Sequence, residues 1–321
     1  MSALSSTLLV GFVAAILYFL FVFPVKHFPV HKEGAVLITG TSSGIGRHAA
    51  IELAKKGYTV YATVRKQADV DSLAAENVDG LKPIIMDVTN QEQIDQAVEL
   101  IKNSGEPLVA LVNNAGISAR VPLEAHSLDR VRQMFEVNVF GVFAVTQAFL
   151  PQIRANQGRI VNIGSVAGIL AMPGSGTYSA TKFGLEGITD ALRREMAPFN
   201  VSVSIVEPAY VKTAIAGKST GDNACTTWVS QELQQTYSFF FDTFEAKRLK
   251  GEAHADGPEV TTTAIVHAIT SATPETRYVV ANTYGIPAKV GVFLSWLLPD
   301  RAEDMLLARD DAISDVTTKG N

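Results

Sequence analysis

The sequence predicts an α/β fold: one doubly wound domain on a seven-stranded, mostly parallel sheet, preceded by an apolar N-terminal helix. Three observations carry that expectation. Short β-branched apolar runs alternate with helical patterns from residue 35 to residue 281; a glycine-rich turn joins the first run to the first helix; and residues 2–25 hold no charged side chain.

Strands are expected at 35–39, 58–63, 83–87, 108–113, 159–163, 201–206 and 277–281. Their nearly continuous apolar character implies burial on both faces, which is the habit of parallel strands covered by helices. Helices are expected at 45–56 (ending at Gly57), 70–77, 91–102, 128–153 and 178–197. No internal repeat, low-complexity tract or linker interrupts residues 33–321, so residues 31–321 are read as one domain. Two stretches break the alternation. Residues 214–258 are too long for a plain connection and are expected to form a lid or small helical insert. Residues 285–300 hold a dense apolar run at 290–298.

Of the 321 residues, 47% are hydrophobic and 18% charged, which suits a packed core and argues against disorder. The net charge of −5 and the scattered Lys and Arg residues give no footprint for nucleic acid. The single cysteine, Cys225, cannot form an internal disulfide, and no Cys/His spacing suggests a metal. That composition fits a reducing compartment.

The N-terminus reads as a membrane anchor over residues 1–30. Residues 8–23 are apolar throughout, counting Gly11, close to the length needed to cross the hydrocarbon layer. A secretory signal would carry a basic start and a small-residue cleavage site, and both are missing. Lys26, His27, His31 and Lys32 follow, so the domain is expected on the cytosolic face of an intracellular membrane such as the endoplasmic reticulum.

The first strand runs into Thr39-Gly40-Thr41-Ser42-Ser43-Gly44-Ile45-Gly46 and then a helix. Glycines there permit a tight turn and close approach to a pyrophosphate, and a helix N-terminus offers unpaired N–H groups to that anion. Gly40, Ser42, Ser43, Gly44, Ile45 and Gly46 are the resulting candidates for binding a dinucleotide in a Rossmann-type domain. At the end of the second strand an acid would hold a ribose 2′-hydroxyl. Val64 stands there instead, followed by Arg65, whose guanidinium suits a 2′-phosphate. NADP(H) is the cofactor expected, the alternative being that Arg65 and Lys66 are simply solvated.

Tyr178 and Lys182 are four apart, one turn on one helix face. A phenol of ordinary pKa ~10 is a poor acid at neutral pH, and a nearby ammonium favours its phenolate. Taken alone the spacing is common and is better read as that of two surface residues. Ser165 ends the fifth strand thirteen residues earlier, and Asn113-Asn114-Ala115-Gly116 ends the fourth. Carboxyl ends of strands are where open α/β sheets bind ligands.

Taken together these motifs resemble the short-chain dehydrogenase/reductase family over residues 34–282. They occur in order: the glycine turn at 39–46, Asp87-Val88, the stretch at 113–116, Asn138-Val139, Ser165, and Tyr178 with Lys182. The resemblance implies Tyr178 as general acid–base, Lys182 as its modulator and a ribose ligand, Ser165 as the group that orients substrate, and Asn138 as holder of a relay water. It also places Asp87 and Val88 at the adenine, Asn114, Ala115 and Gly116 along the cofactor groove, and Pro208, Val211 and Thr213 after strand six. Ala209 departs from the family's usual glycine. Within the family the chain resembles the membrane-associated retinol and hydroxysteroid dehydrogenase branches. They imply an apolar substrate (retinoid, steroid or acyl lipid) and a homo-oligomer formed through helices 128–153 and 178–197. Trp228, Tyr237, Phe239, Phe240, Phe241 and Phe244 in the lid fit an apolar substrate, or equally a helix packing its rings on the core. Small or xenobiotic carbonyls, and an idle NADP-binding membrane scaffold, are the competing readings.

Overall fold

A computed structural model describes residues 3–22, 25–213 and 228–310. A seven-stranded sheet runs in the order β3-β2-β1-β4-β5-β6-β7. Its members are β1 (Ala35–Ile38), β2 (Thr59–Val64), β3 (Leu81–Ile85), β4 (Leu108–Asn113), β5 (Arg159–Ile163), β6 (Ser202–Pro208) and β7 (Arg277–Val280). Every pairing is parallel. The strand order reverses between β1 and β4, which opens a crevice at their carboxyl ends.

The helices are α1 (Ala3–Val22), α2 (Gly44–Lys55), α3 (Gln67–Ala74), α4 (Gln91–Asn103), α5 (Leu128–Phe135), α6 (Gly141–Ala155), α7 (Gly176–Met196), α8 (Gln231–Thr236), α9 (Ser238–Ala253), α10 (Glu259–Thr270), α11 (Ala288–Leu297) and α12 (Asp300–Asp310). On one face of the sheet, Ala50 and Leu53 of α2 and Ile265 and Ile269 of α10 cover Val36 and Ile38. On the other, Ile94 and Ile101 of α4, Phe149 and Ile153 of α6 and Met196 of α7 cover Leu37 and Leu111. Each such large side chain contributes about 1.5–3 kcal/mol on full burial.

Four elements differ from expectation. β3 begins at Leu81, two residues early, with Pro83 inside it opposite Ala62. Proline lacks a ladder N–H and is tolerated because β3 is an edge strand. α3 lies three residues earlier than expected. The helix expected at 128–153 follows that path but contains a π-helical turn, Glu136–Phe140, between α5 and α6. The 214–258 insert contains α8 and α9, while residues 214–227, with Cys225, lie outside the described residues. α10 was not anticipated.

α1 is an uncharged helix of 20 residues. Leu8, Phe12 and Tyr18 along it are 70%, 65% and 61% exposed. Leu128–Ala155 is long and apolar enough to cross a membrane, but Phe149 and Ile153 in it are fully buried on the sheet, so core packing accounts for it. The segment after α1 is strapped beneath the amino ends of the strands. Phe28 N donates to Ala272 O (2.9 Å), Arg159 donates to Pro29 O (2.6 Å) and Ser271 O (2.9 Å), and Tyr58 OH donates to His31 O (2.6 Å). Burial pushes the Arg159 guanidinium down to about 10.

Candidate active site

The glycine turn and the stretch after β4 form one unit. Thr39 Oγ1 accepts from Asn114 N and Ala115 N, both at 2.9 Å. Asn114 Nδ2 donates back to Thr39 O (2.8 Å) and Gly40 O (2.9 Å). Gly40 has φ +70, and a Cβ on it would stand 2.7 Å from Ala115 Cα. A Cβ on Gly46 would stand 2.4 Å from Asn114 Nδ2. Both positions therefore exclude any side chain. Ser43 caps α2 in an extended conformation without a side-chain hydrogen bond, so the first amides of α2 carry no side-chain cap. Asn113 turns inward instead, donating to Thr146 Oγ1 and Asn162 Oδ1 at 2.9 Å each.

At the next strand end, Asp87 Oδ1 accepts from Thr89 N (2.9 Å) and Thr89 Oγ1 (2.8 Å). Val88 is buried, and a Cβ on Gly141 would meet it at 2.7 Å. Arg65 is exposed at the end of β2, and no hydrogen bond or ion pair engages it among the described residues. Arg47, by contrast, is spent on Glu76 (2.6 Å) and Ser72 O (3.0 Å).

Lys182 is buried, and its Nζ donates to Ile163 O (2.7 Å) while lying 5.7 Å from the centre of the Tyr178 ring. Ser165 Oγ accepts from Ala167 N (3.1 Å) and donates to Pro208 O at a long 3.4 Å. The π-helical turn carries Asn138 inward, where Nδ2 donates to Ile117 O (2.9 Å) and Thr181 Oγ1 (3.1 Å), and Oδ1 accepts from Ile117 N (2.9 Å). Single π turns recur at functional sites because they re-aim one side chain. A Cβ on Gly116 would stand 3.5 Å from Asn138 Oδ1 and 4.0 Å from Lys182 Nζ, so the bare glycine leaves a gap between them.

After β6, Ala209 N donates to Val280 O (3.0 Å) and Lys212 N to Asp256 O (2.8 Å). Thr213 Cβ lies 3.1 Å from the place of a Cβ on Gly44, which closes this loop over the glycine turn. Along the opposite wall, Trp228 and Phe241 pack with Val121 and Ala125. Tyr237 OH donates to Glu124 (2.7 Å), and the Phe240 ring fills the space beside Gly174. The aromatic insert is thus seated on the loops after β4 and β5. The Phe244 side chain lies outside the described residues.

Sequence reasoning missed the acidic cluster behind this site. Glu207 is fully buried and pushed up to about 8, first by burial and then by the neighbouring Glu186 carboxylate. Burial raises Glu186 as well. Arg277 donates to both. A lone acid at the exit of the apolar strand 201–206 was the available signal.

Residues 34–224 match the short chain dehydrogenase family, and the chain belongs to it. It is therefore an oxidoreductase of the nicotinamide-binding kind. Retinol dehydrogenase 5 of Mus musculus is 34% identical over 292 residues, covering 85% of this chain and 92% of that protein. The mitochondrial D-beta-hydroxybutyrate dehydrogenase of Bos taurus is 37% identical over 262 residues, covering 76% of each. Among solved structures, a Beutenbergia cavernae protein assigned as an NAD(P)-dependent gluconate 5-dehydrogenase, with NADP bound at low occupancy, superposes with a TM-score of 0.60. It is 27% identical and covers 76% of this chain and 93% of its own.

Proposed function

We propose that this protein is an NADP(H)-dependent oxidoreductase that interconverts a carbonyl and an alcohol on an apolar retinoid, steroid or acyl-lipid substrate, held at a membrane by α1. What supports the reading is Lys182 beside the Tyr178 ring (5.7 Å) and across the gap at Gly116 from Asn138, with Ser165 ending β5, next to a turn whose Gly40 and Gly46 admit no Cβ. That turn fits a dinucleotide: Gly40 and Gly46 clear its floor, Ser42, Ser43 and the amides of Gly44 and Ile45 would hold the pyrophosphate, and Arg65, unpaired among the described residues, would take a 2′-phosphate. Asp87 and Val88 would border the adenine; Asn114, Ala115, Gly116, Pro208, Val211 and Thr213 would line the remaining length.

When bound, the nicotinamide gives or takes the hydride. In the reducing direction, Tyr178 passes its phenolic proton to the substrate oxygen; in the oxidising direction it takes that proton back. The Lys182 ammonium supplies positive charge near the phenol oxygen during this transfer. Ser165 exchanges its long bond to Pro208 O for the substrate oxygen and so orients it. The gap over Gly116 suits a water between Asn138 Oδ1 and Lys182 Nζ, a path for returning the proton.

The retinol dehydrogenase relative and the exposed apolar α1 favour a lipid substrate at a membrane. The hydroxybutyrate dehydrogenase relative favours a second reading, a small carbonyl. Full-length protein in detergent, assayed with NADPH against retinoids, steroids, 3-keto lipids and short 3-keto acids, separates the two. Tyr178→Phe is expected to abolish turnover while NADPH binding and thermal unfolding stay as in wild type. Turnover that survives in Tyr178→Phe defeats the mechanism.

A further inference from the structure

Between α7 and the end of β6 lies a group of charges that the proposed chemistry leaves unused. Glu207 immediately precedes Pro208, whose carbonyl takes the Ser165 hydroxyl, and its side chain is 0% exposed. Glu186 sits one turn along α7 from Lys182, with its side chain 12% exposed. Its Oε1 lies 3.3 Å from the place of a Cβ on Gly164, the residue before Ser165. Arg277 of β7 donates to Glu186, to Glu207 (3.2 Å) and to Asp190 (2.9 Å). Arg193 (3.1 Å) and Arg194 (3.7 Å) turn toward Asp190 rather than toward the glutamates. Glu186 Oε1 and Glu207 Oε2 remain buried with no donor.

That arrangement leaves two buried carboxylate oxygens without a donor. Ionised carboxylates only accept hydrogen bonds. Two of them, buried together and sharing one guanidinium with a third acid, repel each other and leave acceptors unmet. One proton between them supplies the missing donor and removes the excess charge.

We propose that Glu186 and Glu207 share a single proton, and that this protonated pair, clamped by Arg277, positions Ser165 by fixing the end of β6 against the helix that carries Tyr178 and Lys182. Both are positioning residues; neither is placed against substrate. The charges facing the pair are Asp190 on α7, Arg193 and Arg194 through Asp190, and Arg277 on β7; Lys182, one turn away on α7, is turned to Ile163 O. Loss of the proton puts two like charges at the joint between β6 and α7, beside Gly164, which shifts Ser165 relative to the helix that carries Tyr178 and Lys182. The role of Ser165 in this account rests on the function proposed above.

The test uses the full chain in detergent and two readouts. In infrared difference spectra between neutral and alkaline pH, wild type is expected to show a protonated-carboxyl band that disappears above about 8 and is missing from Glu207→Gln. In turnover, wild type should lose kcat across the same pH range. Glu207→Gln carries a permanent N–H donor to Glu186, so it should keep kcat at neutral pH within about twofold and lose that alkaline decline. A wild-type spectrum without a band that Glu207→Gln removes overturns the shared proton. An alkaline decline unchanged in Glu207→Gln overturns the positioning role. The infrared readout needs no substrate, so failure of the proposed function and failure of the shared proton are read separately.

Discussion

On one side of the crevice, Gly40 and Gly46 touch Ala115 and Asn114 so closely that a single methyl group would collide. On the other, α8 and α9 rest on the loops after β4 and β5 through Trp228, Tyr237, Phe240 and Phe241. The first wall is made of backbone held by backbone, with Thr39 and Asn114 side chains as the stitches. The second is made of half-buried rings laid on Val121, Ala125 and Gly174, with the Tyr237 hydroxyl bonded to Glu124. A wall of the first kind keeps one shape for one ligand, the dinucleotide proposed to bind there. A wall of the second kind, on the side proposed for the substrate, can be recut without disturbing the sheet.

The sharpest way to break that contrast is Gly46→Ala. The new Cβ would sit 2.4 Å from Asn114 Nδ2 and 2.6 Å from Gly40 O. Asn114 must then give up bonds to Thr39 O and Gly40 O, and overpacking of this kind costs about 1–3 kcal/mol before any ligand is considered. NADPH binding should fall below detection by calorimetry, and the thermal midpoint should drop by several degrees. A Gly46→Ala protein that binds NADPH as wild type does would show that the wall is not rigid.

The same contrast governs what could be read before the structure. Strands β1, β4, β5 and β6 are buried at every position and announce themselves as apolar runs. Tyr178 and Lys182 are legible because one helical turn brings them together. β3 was misplaced because Pro83 looks like a beginning, and only its edge position lets the ladder start before it. α10 opens with Thr261, Thr262 and Thr263 behind Pro258, and β-branched residues obscure a helix whose apolar face appears only at Ala264 and Ile265. The π turn at Asn138 has the composition of an ordinary helix. Glu186 and Glu207 meet Arg277 across separations of 91 and 70 residues, and no local pattern encodes such a meeting.

A smaller effect is expected from Arg65→Asp, which alters the ligand's fit without touching the wall itself. Arg65 has no partner among the described residues, so the fold should lose nothing and the unfolding midpoint should hold. A charge-assisted contact to a 2′-phosphate becomes a repulsion, and an acid at that point suits a ribose hydroxyl. The ratio of kcat/KM for NADPH over NADH should fall about 10–100-fold, which corresponds to roughly 1.4–2.7 kcal/mol. An unchanged ratio would remove the reason for preferring NADP(H).

The least costly change should be Phe240→Ala, on the recuttable wall. The Phe240 ring stands where a Cβ on Gly174 would be, against the loop that follows Ser165, and it meets Phe241 edge-on at 5.4 Å. Removing it frees α9 from that loop but leaves Thr39, Asn114 and the glycine turn untouched. NADPH affinity should therefore stay within error while KM for an apolar substrate rises several-fold, the equivalent of about 1 kcal/mol of lost ring contact. Were NADPH affinity to weaken in parallel with KM, the two walls would be one mechanical unit, and substrate range could not change without cost to the cofactor.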